Sequence, residues 1–206
     1  PITAICGDQQ SSLFGQGCFS EGEAKITYGT GCFMLLNSGE KPILSEKGLL
    51  TTIGISTNNK INYALEGSVF AGGTVIKWLR DNMGVIKNAA ESEYVARSIP
   101  DNGGVYIVPA FVGLGTPHWD SDARGTIMGL TFGNDTRHIV RAGLEAIAYQ
   151  CYDVISVMEK EMGKEVIALK VDGGAALNDF LMEFQSAILN KKIYRPVVYE
   201  STAYGV

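Results

Sequence analysis

Thr27-Tyr28-Gly29-Thr30-Gly31-Cys32-Phe33 places a Gly-Thr-Gly turn between two apolar, strand-like segments. Glycine there lets the backbone come up against a ligand with no side chain in between. The N–H groups of such a turn can converge on one concavity, the Thr30 hydroxyl adds a donor, and the flanking strands hold it still. The turn therefore suits a phosphate, and it also suits a plain hairpin. A second glycine-rich strand end, Val171-Asp172-Gly173-Gly174, brings the two readings level.

Working outward, residues 24–37 read as strand, and Ser38-Gly39-Glu40-Lys41-Pro42 supplies turn chemistry. Residues 49–57 and 61–70 read as two more strands, with Asn58-Asn59-Lys60 turning between them. Three strands joined by short turns make a meander. Gly72 and Gly73 then open a helix with Val75, Ile76, Leu79 and Met83 on its apolar face and Gly84 as its stop. Residues 105–111 read as a buried strand and 127–130 as a shorter one. Asn134 or Asp135 caps a long helix that Gly163 ends, followed by a strand at 166–171, a helix at 178–189 and a strand at 192–198. A meander followed by alternating helices and strands predicts an α/β domain with a mixed sheet flanked by helices.

The 206 residues suffice for one large domain and its own core. A net charge of −5 without a basic run argues against nucleic acid or an anionic membrane as partner, and favours a small ligand. Cys6, Cys18, Cys32 and Cys151 form no Cys-x-x-Cys, and His118 and His138 lie far from the first three. Reduced thiols, a cytoplasmic protein and no structural metal are expected. Neither a membrane-span pattern nor a signal-peptide pattern occurs. The chain starts at Pro1 and stops at Val206 in the middle of structured-looking sequence, so it reads as a fragment.

No Gly-x4-Gly-Lys-Ser/Thr and no Gly-x-Ser-x-Gly is present, which excludes a P-loop and a nucleophile elbow. The two glycine turns and the Gly72-Gly73 helix start would have to share the holding of a nucleotide, because a helix N-terminus contributes only about 0.3–1 kcal/mol. Gly7-Asp8-Gln9-Gln10 sets an acid before two amides. Asp8 there could accept a proton from a hydroxyl while the amides orient a polyol, or it could cap a helix. The segment 111–120 reads as a loop with aromatic anchors packed across the surface. Phe180-Leu181-Met182-Glu183-Phe184 reads as core packing at helical spacing.

Gly7-Asp8-Gln9-Gln10 with Leu13-Phe14-Gly15-Gln16, Tyr28 to Phe33, and Trp78-Leu79-Arg80-Asp81 together resemble the FGGY carbohydrate-kinase family. Asp122-Ala123-Arg124-Gly125, Gly129-Leu130 and Val171-Asp172-Gly173-Gly174 with Asn178 add to the likeness. Within the family the run from the acid and two glutamines through Phe33 is similar to the glycerol kinases rather than the pentulose kinases.

The resemblance implies a ribonuclease-H-like domain of the actin/Hsp70 ATPase type. It implies that residues 1–206 are most of a C-terminal nucleotide-binding domain, with the N-terminal domain and a final helix missing. It implies ATP-dependent phosphorylation of glycerol to sn-glycerol 3-phosphate by the whole protein, with Asp8 as general base and Gln9 and Phe33 as polyol contacts. Thr30 and Gly31 would meet the terminal phosphates, and Gly73, Lys77, Gly174 and Asn178 the rest of ATP or ADP. Mg²⁺ would accompany the nucleotide, and the missing domain would supply the second phosphate turn, an acid near the metal, and arginine and tryptophan ligands. A homo-oligomer is implied for the full length. The competing readings are a non-catalytic actin-like nucleotide-binding or interaction module, and a kinase for another small polyol or ketose.

Overall fold

A computed structural model describes residues 2, 4–57, 60–197 and 200–206. Helix α1 (Asp8–Gly15) precedes strands β1 (Glu23–Tyr28), β2 (Cys32–Gly39), β3 (Leu50–Thr57) and β4 (Lys60–Val69), then helices α2 (Gly73–Asp81) and α3 (Glu91–Arg97). A short pair, β5 (Tyr106–Val108) and β6 (Thr126–Met128), leads into the long helix α4 (Thr136–Met162). The chain continues through β7 (Ala168–Asp172), a 3₁₀ turn (Gly174–Leu177), α5 (Asp179–Leu189), β8 (Ile193–Tyr194) and α6 (Ser201–Tyr204).

Six strands form one mixed sheet in the order β3-β4-β2-β1-β7-β8. Strands β1 to β4 pair antiparallel, whereas β7 runs parallel to β1 and β8 parallel to β7. This is the mixed sheet with flanking helices that the alternation predicts. Four details differ from the sequence reading. Residues 24–37 are two strands folded at the glycine turn, with Tyr28 opposite Cys32, because the turn itself breaks the apolar run. Residues 105–111 contribute a three-residue strand to a separate hairpin with β6, outside the main sheet. Helix α3 was not anticipated, and β8 is two residues long rather than the whole of 192–198. Val198, and Asn58 and Asn59 of the expected turn, lie outside the described residues.

Strand periodicity assigns the two faces. Ala24, Ile26, Tyr28, Met34 and Leu36 point into one core with Val75 and Leu79 of α2, the inner stripe of α4 and Phe180, Leu181 and Met182 of α5. The 180–184 run is thus packing, as its spacing predicts. Gly143 lets α4 approach α2 closely, since a Cβ there would stand 2.9 Å from Leu79 Cδ1. The opposite face carries Leu35 and Ala64 against Leu13 of α1. Asp135 caps α4 by accepting from the Arg137 N–H at 2.9 Å, and Gly163 ends it in the left-handed conformation. The 111–120 loop is pinned to the sheet: Thr116 N–H donates to Ser68 O at 2.9 Å and Trp119 Nε1 to Gly48 O at 2.6 Å.

Candidate functional site

The parallel ladder of β1 and β7 ends where Thr27 pairs with Asp172. Just beyond it lie both glycine segments, so the two turns singled out in sequence meet at the carboxyl ends of neighbouring parallel strands. That is where open α/β sheets place ligands.

The Gly29-Thr30-Gly31 tip is held from behind by α2. Gly73 N–H donates to Gly29 O at 2.8 Å, while Gly72 N–H, Thr74 N–H and the Thr74 hydroxyl converge on Thr30 O at 3.0, 3.2 and 3.0 Å. This corrects one expectation. The first amides of α2 are spent on the turn's carbonyls, so the helix start braces the turn and does not offer those N–H groups to an anion. Such contacts require glycine: a Cβ on Gly73 would stand 2.7 Å from Gly29 O, and one on Gly31 would collide with Val69 O.

A cavity of about 570 Å³ opens between the tip, α2, α3 and the 3₁₀ turn. Thr30, Gly73, Lys77, Gly174 and Asn178 all line it, and its volume is ordinary for a small-molecule site. Gly31 lies behind its wall, buried under the tip. Ile76, Ala89, Ala90 and Leu177 give the cavity apolar walls; Lys77, Arg80 and Glu93 give it charge. Asn178 serves the fold as well as the cavity, since its Oδ1 accepts from Leu181 N–H at 2.9 Å to cap α5 and its Nδ2 donates to Ser92 Oγ at 3.1 Å. The α3 wall had a readable signal in Asn88-x-x-Glu91: Asn88 Oδ1 accepts from Glu91 N–H at 3.0 Å, and the Glu91 carboxylate reaches back to Lys87 N–H at 2.5 Å.

The two glycines at the end of β7 have different duties. Gly174 is exposed, and a Cβ built on it would meet nothing within 4 Å. A Val there fills cavity space from a Cβ that itself meets no protein atom within 4 Å. On the resemblance's implication that this cavity takes ADP, Gly174→Val is expected to weaken ADP binding tenfold or more with an unchanged melting temperature, as read by calorimetric titration and thermal unfolding.

Asp8, Gln9 and Phe33 stand on the other face of the sheet. Gly7 is the N-cap of α1 and Asp8 its first helical residue, so Asp8 does not cap; its exposed carboxylate accepts from Gln9 N–H at 2.8 Å. Phe33 is half-buried on β2, in one cross-sheet row with Asp172, Thr27 and Ser68. Between these groups lies a polar network that the sequence reading missed. Lys25 is fully buried; its Nζ donates to Gln9 Oε1 and, at 3.0 Å, to Thr27 Oγ1. Asp172 Oδ2 accepts from Ser12 Oγ at 2.9 Å and from the Ser201 hydroxyl. Burial pulls the Lys25 ammonium down to about 8, against the opposing pull of Asp172, Glu66 and Asp8. The sequence carried no such signal: Lys25 shares its face of β1 with Glu23 and Thr27, which is the pattern of an ordinary solvent-facing strand side.

Among the described residues no group of three or more His, Cys, Asp or Glu side chains is arranged for a metal ion. No described helix is long and apolar enough to cross a membrane.

Comparison with known proteins adds an independent line. Residues 24–206 match the FGGY family of carbohydrate kinases, C-terminal domain. The chain is 60% identical over 205 residues to a glycerol kinase of Petrotoga mobilis and 58% identical to one of Fusobacterium nucleatum; each match covers 100% of this chain and 41% of the relative. The structure of Plasmodium falciparum glycerol kinase with ADP superposes with a TM-score of 0.93 at 44% identity, over 100% of this chain and 41% of that one. A ligand-bound xylulose kinase from Lactobacillus acidophilus, at 24% identity and a TM-score of 0.85 over 96% of this chain and 40% of that one, shares the fold. The chain thus spans about two fifths of the length of these relatives.

Proposed function

The chain belongs to the FGGY family of carbohydrate kinases, and on that premise we propose that it supplies the nucleotide half-site and the acceptor-activating carboxylate of an ATP-dependent kinase making sn-glycerol 3-phosphate from glycerol. The observation that carries this reading is the opposition of two groups across one pair of strands. Five of the expected nucleotide residues line a single cavity at the ends of β1 and β7, and Asp8 with Gln9 stands over the other face of the same strands. The P. falciparum relative with bound ADP supports the nucleotide assignment.

In this reading the apolar walls of the cavity take the base and sugar, Gly174 lets the nucleotide approach the 3₁₀ turn, and the Thr30 tip meets the terminal phosphates. Phosphoryl transfer asks chiefly for in-line positioning and for stabilisation of charge on the moving group. Thr30 on its braced tip supplies a fixed donor, and Asp8 orients the acceptor hydroxyl and takes its proton late in the transfer. Phe33 packs behind the carbon chain of the acceptor. Mg²⁺ accompanying the nucleotide would supply neutralisation of phosphoryl charge, and an exposed carboxylate such as that of Asp8 has the hard oxygen donors that would hold such an ion. The remaining length seen in the relatives supplies the opposing wall of the cleft. Four cysteines without disulfides fit a cytoplasmic location, and a homo-oligomer is part of the same proposal.

The test is ADP release by the complete protein, supplied with ATP, Mg²⁺ and glycerol, dihydroxyacetone or xylulose in turn. Glycerol-dependent turnover with the highest kcat/KM is the expected result. A preference for xylulose would make it a ketose kinase. ADP binding without turnover on any acceptor would make it a non-catalytic nucleotide-binding module.

A further inference from the structure

Lys25 is the one fully buried cation on β1, and it belongs neither to the apolar core nor to the cavity. It lies on the α1 face in a cross-sheet row of Lys170, Lys25, Leu35 and Glu66. Lys170 turns away, donating to Gly17 O at 2.8 Å and Glu23 at 3.2 Å. The Lys25 Nζ turns toward the start of α1, to Gln9 Oε1 and Thr27 Oγ1.

An ammonium has only donors, so the Gln9 atom that faces it must be the amide oxygen. With Oε1 held inside, Nε2 stands outside, 3.5 Å from Asp8 Oδ2. The end of α1 then presents an N–H₂ donor beside a carboxylate acceptor. One hydroxyl can give its proton to Asp8 while its own oxygen, or that of the neighbouring carbon, accepts from Gln9. Were the amide reversed, two acceptors would face the polyol and no donor would remain for the oxygen of the hydroxyl whose proton goes to Asp8.

We propose that Lys25 is a positioning residue that sets the polarity of the Gln9 amide, so that Asp8 and Gln9 form a matched acceptor–donor pair for adjacent polyol hydroxyls. The inference rests on the polyol-kinase reading given above. A buried cation here costs desolvation; the carboxylates facing it are Asp172 on β7, Glu66 on β4 and Asp8 on α1, and the remaining titratable neighbour is the Cys18 thiol after α1, which burial keeps protonated. None of these carboxylates takes a hydrogen bond from Nζ; the neutral amide and hydroxyl do.

The experiment measures glycerol and ATP kinetics of the complete protein as Lys25→Met and Gln9→Glu variants. Lys25→Met frees the amide to rotate, and Gln9→Glu keeps an oxygen on Lys25 while deleting the outward donor. Each is expected to raise the KM for glycerol roughly tenfold, the upper end for one neutral hydrogen bond, with the KM for ATP unchanged. In the Gln9→Glu background Lys25→Met should add little, since both remove the same donor. The unmodified protein gives a second readout that needs no folded variant. Lys25 loses its proton as pH rises through about 8, so the KM for glycerol should climb above that pH while the KM for ATP stays level. A glycerol KM unaffected by Gln9→Glu, or flat through pH 9.5, overturns the proposal. So does an effect of Lys25→Met equal on both substrates. If the protein turns over no polyol at all, the kinase reading itself has failed, which the unmodified protein reveals before any variant is made.

Discussion

Asp8→Asn in the complete protein is expected to lower kcat for glycerol phosphorylation by about 10²–10⁴-fold, the range for loss of a positioned general base. The amide is isosteric with the carboxylate and can still accept from the Gln9 N–H that Asp8 Oδ1 now engages at 2.8 Å, so α1 keeps its first turn. The substitution removes charge and basicity and little else. Asp8 lies across the sheet from the cavity and outside its lining, so the affinity for ADP should stay within about twofold. Stopped assays of ADP formation and calorimetric titration with ADP separate the two. A variant that turns over glycerol at near the normal rate would remove Asp8 from the chemistry, whatever its effect on KM.

The second large effect concerns stability. Gly173 has φ +87°, and a Cβ there would press on the Tyr28 backbone, with its carbonyl carbon at 2.7 Å and its nitrogen at 2.9 Å. Gly173→Ala therefore has to push apart β1 and the 3₁₀ turn or abandon the left-handed conformation. Conformational strain alone costs about 1–2 kcal/mol, and the displaced strand end brings the expected loss to about 3 kcal/mol or more. For a chain of this size that is a fall in melting temperature of about 6–12 °C. Gly174→Ala, one residue on, should leave the melting temperature unchanged because its Cβ enters open space. Thermal unfolding of the two variants side by side checks the contrast; equal losses would show that the segment does not need its left-handed glycine.

The contrast marks how far sequence alone could go. Val171-Asp172-Gly173-Gly174 reads as a ligand-facing strand end, but nothing in the four letters says which glycine the backbone needs and which the ligand needs. That division comes from β1 lying beside β7, a contact between residues about 145 apart in the chain. The same applies to Gly72-Gly73: the pattern announces a helix start, yet its amides turn inward because the β1–β2 tip happens to pack behind it. Strands and helices with clear periodicity were legible, including α4 with its Asp135 cap and Gly163 stop. The short α3 was lost because seven residues give too little periodicity, although Asn88-x-x-Glu91 was there to be read. Lys25 was lost for a different reason. A lysine in a strand reads as solvent-facing until α1 is known to close over it.

The brace between α2 and the hairpin tip also has a mechanical side. Gly29 O and Thr30 O are tied to the first turn of α2, and α2 in turn rests on α4 at Gly143 with almost no clearance. The tip therefore cannot shift without carrying the first turn of α2, and α2 cannot shift without repacking against the 27-residue α4, so the outline of the cavity is set by the long helix as much as by the loop.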